Sequence, residues 1–427
     1  MPHLPTLLLQ IGLILIAARL VGYLFRRVNQ PQVVGEMVAG ILIGPSFLGS
    51  YAPGVFTTLF PANSLGFLNA LSQIGVVSFM FLVGLELNPR LMRGKGHTAV
   101  ITSHASILLP FFLGSLLALY LYPRLSDDSV SFTNFALFLG IAMSITAFPV
   151  LARILTERNM LRHPVGAMAI ACAAIDDVTA WIILAGVVLL ARSSGGGLPI
   201  WVTVSGVIGF ALFMIFVARR LLVRLQDMYY RYGRVTQNLL ALILLLAFGS
   251  AYVTEWLGIH ALFGAFLLGT VLPKDPAFTR ALTEKIEDMV VVLLLPLFFA
   301  FTGLRTSIGL LNSGGMWMYF GLILLVALAG KLGGSMIAAR STGMSWRESS
   351  AIGILMNTRG LMELVVLNIG LDIGIISPAL FAIMVLMAIV TTLMTTPLLS
   401  LVYPHDVLER EVEKIEEDTR AAPALPA

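Results

Sequence analysis

Thirteen apolar stretches follow one another along this 427-residue chain, at about 5–25, 32–49, 67–87, 98–122, 133–155, 164–191, 199–222, 236–256, 258–273, 286–304, 315–340, 347–371 and 376–402. Most are long enough to cross the hydrocarbon core of a bilayer. Unpaired backbone groups are too costly in lipid, so these stretches must be helices. Composition agrees: 58% of residues are hydrophobic, 12% are charged, and the mean hydropathy is +0.92. Such a chain has too little polar surface to coat a water-soluble globule. The fold expected is an all-α polytopic membrane protein of about thirteen transmembrane helices spanning 1–403, followed at 404–427 by a short charged cytoplasmic tail.

Basic residues set the orientation. Connections after the odd-numbered segments, together with the tail, hold 21 of the 27 Lys and Arg residues, and the opposite connections hold three: Arg124, Arg192 and Arg305. By the positive-inside rule the N-terminus lies outside and the C-terminus in the cytoplasm, which fits a bacterial inner membrane. The net charge of +4 therefore reflects topology rather than nucleic-acid binding. The single cysteine, Cys172, excludes an intrachain disulfide, and the six histidines lack ligand spacing, so no cofactor or resident metal is expected. The first segment carries Arg19, has no basic start and is long enough to span, unlike a secretory signal.

Comparing each segment with the one seven later exposes a weak repeat. Residues 33–45 resemble 261–273 (Gly35 and Gly40 against Gly264 and Gly269), and 79–88 resemble 298–307 (Phe79 and Gly84 against Phe298 and Gly303). Residues 113–118 resemble 333–338, and Thr146 corresponds to Thr358; the offsets are 229, 219, 220 and 212. An odd segment offset inverts one copy relative to the other, so helices 1–6 and 8–13 read as inverted repeats with helix 7 as linker. Inverted repeats typify alternating-access transporters, whose substrate site lies near the midplane.

The fifth segment contains SITAFPVLARIL (144–155), where Pro149 cannot donate its amide. The freed carbonyls and the hydroxyls of Ser144 and Thr146 suit a dehydrated hard cation. The repeat mate, MNTRGLMEL (356–364), places Asn357, Thr358 and Gly360 where a second interruption is plausible; a simple kink at Pro149 is the alternative. The strongest signal is AIDDVTAW (174–181), in which Asp176 and Asp177 lie mid-segment. A charge at the bilayer centre costs roughly 2.5–3.5 kcal/mol on insertion scales. Adjacent helical residues diverge by about 100°, so one carboxylate can face a cavity and the other a neighbouring helix. Such a pair resists ionising together, and an acid that holds a proton or a metal cation in turn couples the two fluxes. Lys331, flanked by Gly330, Gly333 and Gly334, is the expected partner of Asp176, with snorkelling to an interface as the alternative. Arg359 and Glu363, four apart, are expected to clamp the broken twelfth segment. Glu36 and Glu86 lie near segment ends where vestibules would open.

The motifs QPQVVGEMVAGILIGPS, FMFLVGLELN, SITAFPVLARIL, AIDDVTAW, PLFFAFTGLRT, GKLGGSM and MNTRGLMELVVLNIG together resemble the monovalent cation/proton antiporter superfamily, on the branch of the glutathione-gated potassium efflux systems and plant cation/proton exchangers. The resemblance implies a sodium/proton antiporter fold with a core domain, a dimerisation domain and two crossed broken helices, which by motif match are segments 5 and 12. It implies a homodimer. It also implies that Asp177 carries the cation and the proton, with Asp176 paired to Lys331, an arrangement similar to that of electrogenic members. Asp176 departs from the Asn or Gln of electroneutral relatives at that position. The reading is a proton-coupled Na⁺ or K⁺ antiporter in the lipid bilayer, not an enzyme. Its rivals are electroneutral K⁺/H⁺ exchange, an organic-anion symporter of similar architecture, an intramembrane aspartyl protease, which lacks its GxGD signature here, and a cation channel, for which no filter-like loop is found.

Overall fold

A computed structural model describes residues 4–86, 96–127, 129–158, 160, 163–193 and 200–404; the tail expected at 404–427 lies almost wholly outside them. Among the described residues the regular structure is helical throughout. Eleven helical stretches are long and apolar enough to cross a membrane, and Trp346–Met356 with Leu361–Asp372, bent by 42° at its break, makes a twelfth. Thirteen is reached only by counting Ala261–Val271, whose 11 residues rise about 16 Å, roughly half a hydrocarbon core. The sequence overestimates that segment because Gly258, His260 and Pro273 bound its helical part.

The helices sort into two groups by contact. One joins Leu4–Arg27, Gln32–Ile43, Ala62–Glu86, Gln237–Trp256, Ala261–Val271 and Leu295–Arg305. The other joins Gly96–Leu125, the broken span formed by Phe132–Ser144 and Phe148–Glu157, Pro164–Ser193, Met316–Ser341, the broken pair at 346–372, and Pro378–Val402. Glycines let the first group pack backbone against backbone. A Cβ on Gly84 would collide with the Phe266 carbonyl, one on Gly269 with the Phe81 carbonyl, and one on Gly40 with the Phe299 carbonyl. These are the glycines that carry the sequence matches, and the contact of 62–86 with 261–271 exchanges, under the repeat, for that of 295–305 with 32–43.

Burial separates centre from periphery. The window within Trp201–Tyr232 is 17% buried and that within Phe132–Thr156 is 78% buried, so the first leaves most of its apolar surface uncovered by the rest of the chain and the second threads the interior. Polar side chains that no amphipathic helix could place in water are therefore concentrated around the broken spans.

Candidate functional site

The chain leaves helical geometry at Ile145, whose ψ of 138° is extended, and resumes a helix at Phe148. Pro149 sits in the first turn of that new helix, where its missing N–H has no intrahelical partner to lose. The proline thus begins a half-helix instead of kinking a continuous one. The second break, after Met356, ends where Leu361 starts the next half. The two interruptions touch: the Ala147 N–H donates to the Thr358 carbonyl at 2.9 Å, and a Cβ on Gly360 would press on Val150 Cγ2.

Four half-helix ends meet here, so partial charges of both signs concentrate at the crossing. Two cations answer the C-terminal carbonyls of Phe132–Ser144. Arg359 donates to Ala142 O at 3.2 Å and Met143 O at 2.6 Å, and Lys331 Nζ donates to Ser144 O. Arg359 also pairs with Glu363 at 2.6 Å, both fully buried. The arginine therefore clamps the second broken span and caps the first, a role wider than its i, i+4 spacing suggests. Lys331 lies in a π-helical stretch, Ala329–Gly333, an irregularity that recurs at functional sites.

The paired aspartates occupy the middle of Pro164–Ser193 and differ sharply. Asp176 is saturated. Lys331 Nζ lies 2.9 Å from its Oδ2; Ser103 Oγ donates to Oδ1 at 2.5 Å, Ser106 Oγ to Oδ2 at 2.5 Å, and the Thr146 hydroxyl lies 2.9 Å from Oδ2. The same Thr146 hydroxyl is 3.2 Å from the Met356 carbonyl, tying the cluster to the second break. Asp177, 2% exposed, has its Oδ2 buried without a hydrogen-bond partner among the described residues. Asn357 Oδ1 is in the same condition. Ser144 directs its hydroxyl to the carbonyls of Gly140 and Ile107, so its carbonyl alone faces the charged cluster. Thr358 contributes its carbonyl to Ala147, and its hydroxyl lies 3.5 Å from that of Thr395.

The structure joins Asp176, Lys331, Thr146 and Ser144 through direct contacts and Arg359 to Glu363 through another, while Thr358 is tied to the first break through Ala147. Ser103, Ser106 and Thr392, which sequence reasoning misses, complete the network; the Arg359 N–H donates to Thr392 Oγ1, and the Thr392 hydroxyl donates to the Arg359 carbonyl. Ser103 and Ser106 are three apart and so share a helix face, a signal available in TSHAS (102–106). Among the described residues no group of three or more His, Cys, Asp and Glu could hold a resident metal.

A cavity of about 520 Å³ separates the two helix groups. It reaches Phe148, Pro149 and Leu361, the first residues of both second half-helices, and runs past Arg153 and Thr156 to Glu86 and Glu287; neither aspartate lines it. At the opposite side the groups are bound together: Arg305 pairs with Asp372 at 2.7 Å and donates to Asn368 Oδ1 at 3.0 Å, while Asn368 Nδ2 donates to Thr302 Oγ1 at 2.8 Å.

Comparison with known proteins gives one consistent picture. The family described as the transmembrane sodium/hydrogen exchanger matches residues 14–401. The chain is 44% identical, over 91% of its length and 94% of the relative's, to the Na⁺/H⁺ antiporter NhaS4 of Synechocystis. It is 42% identical to cation/H⁺ antiporter 17 of Arabidopsis thaliana over 94% of this chain, and it spans about half (48%) of that longer protein. The sodium proton antiporter MjNhaP1 of Methanocaldococcus jannaschii has a similar fold, with a TM-score of 0.58 at 15% identity over 95% of this chain and 99% of that one.

Proposed function

This chain belongs to the transmembrane sodium/hydrogen exchanger family, and on that premise we propose that it exchanges a monovalent cation, Na⁺ or K⁺, for protons across a cell membrane by alternating access, with Asp177 as the shared site. The observation that carries the reading is the charge balance at the crossing. Lys331 and Arg359 are each matched by a carboxylate in direct contact, Asp176 and Glu363. Asp177 is the buried acid left over, with Oδ2 unpartnered. An ionised carboxylate taken out of water costs several kcal/mol unless something compensates it. The acid therefore crosses loaded with a proton or a cation and rarely bare, and that restriction turns two independent fluxes into an exchange. The unpartnered Asn357 Oδ1 and the carbonyls freed at the breaks are oxygen donors of the kind alkali cations take.

Two stoichiometries follow from the same geometry. If the Lys331–Asp176 pair stays closed throughout, one proton moves against one cation and the cycle is electroneutral. If the pair opens in the cycle and Lys331 gives up its proton, charge moves. The second, electrogenic reading is favoured by the double aspartate with its lysine. The basic connections assign the Glu86 mouth to the cytoplasm and the N-terminus to the outside. A homodimer would bury peripheral apolar faces such as that of Trp201–Tyr232. An inward proton gradient then drives cation extrusion.

The test is pH-gradient dequenching in proteoliposomes with Na⁺, K⁺ and Li⁺ in turn, each with and without a potential clamp. Saturable cation-dependent dequenching is expected, faster when the clamp dissipates the opposing potential. No response to any of the three cations would overturn the reading, and a clamp-independent rate would select the electroneutral form.

A further inference from the structure

The repeat offsets connect the two mouths of the molecule. At the offset of 219 that relates residues 79–88 to 298–307, Glu86 corresponds to Arg305. At the offset of 212 that relates Thr146 to Thr358, Thr156 corresponds to Asn368. Arg305 and Asn368 are in contact at 3.0 Å, with Asp372 added at 2.7 Å. Their counterparts Glu86 and Thr156 lie on the walls of the 520 Å³ cavity, on opposite helix groups; Arg153, on the same half-helix as Thr156, is engaged elsewhere and donates to Gln32 Oε1 at 3.4 Å.

Resting on the alternating-access reading above, we propose that these repeat-related sites are two latches engaged in turn: Arg305 with Asn368 and Asp372 at one mouth, closed in this structure, and Glu86 with Thr156 at the other, open in it. Each latch joins one residue of the first helix group to residues on the second half of a broken span. Turnover of the carrier would pull the closed latch open and bring the open one together, because inverted repeats exchange conformations in the transport cycle. The chemistry suits a latch better than a clamp. The Arg305 and Asp372 side chains are 21% and 39% exposed, so water competes for them and the pair is cheap to open. The pair at the crossing, by contrast, is fully buried. Arg305 also stacks over Phe301, at 5.5 Å from guanidinium to ring centre, which holds its fork near Asn368 while Asp372 comes and goes.

The experiment uses the full chain in nanodiscs, with the native Cys172 replaced by Ser and a single reporter, Val291→Cys, at a half-buried position on the wall of the open cavity. Labelling by a bulky polar maleimide then reports how often the Glu86 mouth is open. Releasing the closed latch with Asp372→Asn or Arg305→Gln should lower the labelling rate about two- to five-fold, the range expected of a partly exposed ion pair. The charge-swapped double variant Arg305→Asp with Asp372→Arg should restore it, which separates a latch from general damage to the fold. Glu86→Gln should prevent the fall when combined with Asp372→Asn. Unchanged labelling in both single variants, or a fall that the swap does not reverse, would overturn the latches. Cation-driven exchange by the parent protein in proteoliposomes, scored separately, decides the antiport reading, so each idea can fail without the other.

Discussion

Asp176 and Asp177 are neighbours on one helix, yet their surroundings are opposites. Three hydroxyls and an ammonium converge on Asp176, and through Ser103, Ser106, Thr146 and Lys331 it fastens three helical spans to the first break. Asp177, turned about 100° away, finds nothing among the described residues to bond through its Oδ2. A buried carboxylate held by four donors is an anchor, since moving it breaks several bonds at once. One left unengaged is receptive. On the reading proposed above, the pair separates holding the crossing together from loading it.

The sharpest way to break this comparison is to neutralise each acid in turn. Asp177→Asn should reduce cation-driven dequenching in proteoliposomes to that of protein-free vesicles, with the thermal unfolding midpoint little changed because no hydrogen bond to Oδ2 is lost. Substantial exchange by this variant would place the shared site elsewhere. Lys331→Ala attacks the anchor. It leaves Asp176 buried without its counter-charge, so we expect about 3–5 kcal/mol of destabilisation, together with lost charge movement in any exchange that survives. Adding Asp176→Asn to Lys331→Ala should recover much of that stability, because the second change removes the unpaired charge. A double variant as unstable as the single one would mean that the pair is not coupled. Ser103→Ala is milder and should cost about 1.5–3 kcal/mol, the usual worth of a hydrogen bond to a charged group, with exchange retained.

Much of this is legible in the sequence, and the features that are not share a cause. The apolar runs, the repeat glycines and the aspartate pair stand out because lipid tolerates so few departures from apolar helix. The membrane-spanning helical fold and the membership of the exchanger family follow from those signals. The ninth segment reads as long enough to span because hydropathy does not register where Gly258 and Pro273 end the helix. Ser103 and Ser106 escape notice because hydroxyls are common in membrane helices, and only the position of Asp176 gives them meaning. The spacing of Arg359 to Glu363 reveals their pairing, whereas the bonds of Arg359 to Ala142 and Met143 cross between segments more than 200 residues apart. Local periodicity carries no information about such a contact.

The same contrast can be sharpened between two lysines. Lys331 and Lys274 each gather backbone carbonyls: Lys331 that of Ser106, within a helix, and that of Ser144, at a helix end, and Lys274 those of Gly84, Leu85 and Gly269 at 2.7–2.8 Å. Lys331 has a carboxylate in contact. Lys274, in the connection after Ala261–Val271, has the charge of Glu86 as its counterweight among the described residues, and burial pulls its pKa from 10.5 down to about 7. Between those values the folded chain holds less of this proton than the unfolded chain, so stability through this group rises as pH climbs from about 7 toward 10.5 and is flat below 7. The three carbonyls favour the ammonium and oppose the pull of burial, so they raise the lower edge of that window and leave little of it below pH 9, the smallest effect expected here. Thermal midpoints of purified protein from pH 6 to pH 9 should rise slightly in the parent above neutrality and lose that component in Lys274→Met. An identical rise in the variant would show that the helix ends are held by packing around Gly84 and Gly269, with the lysine a bystander.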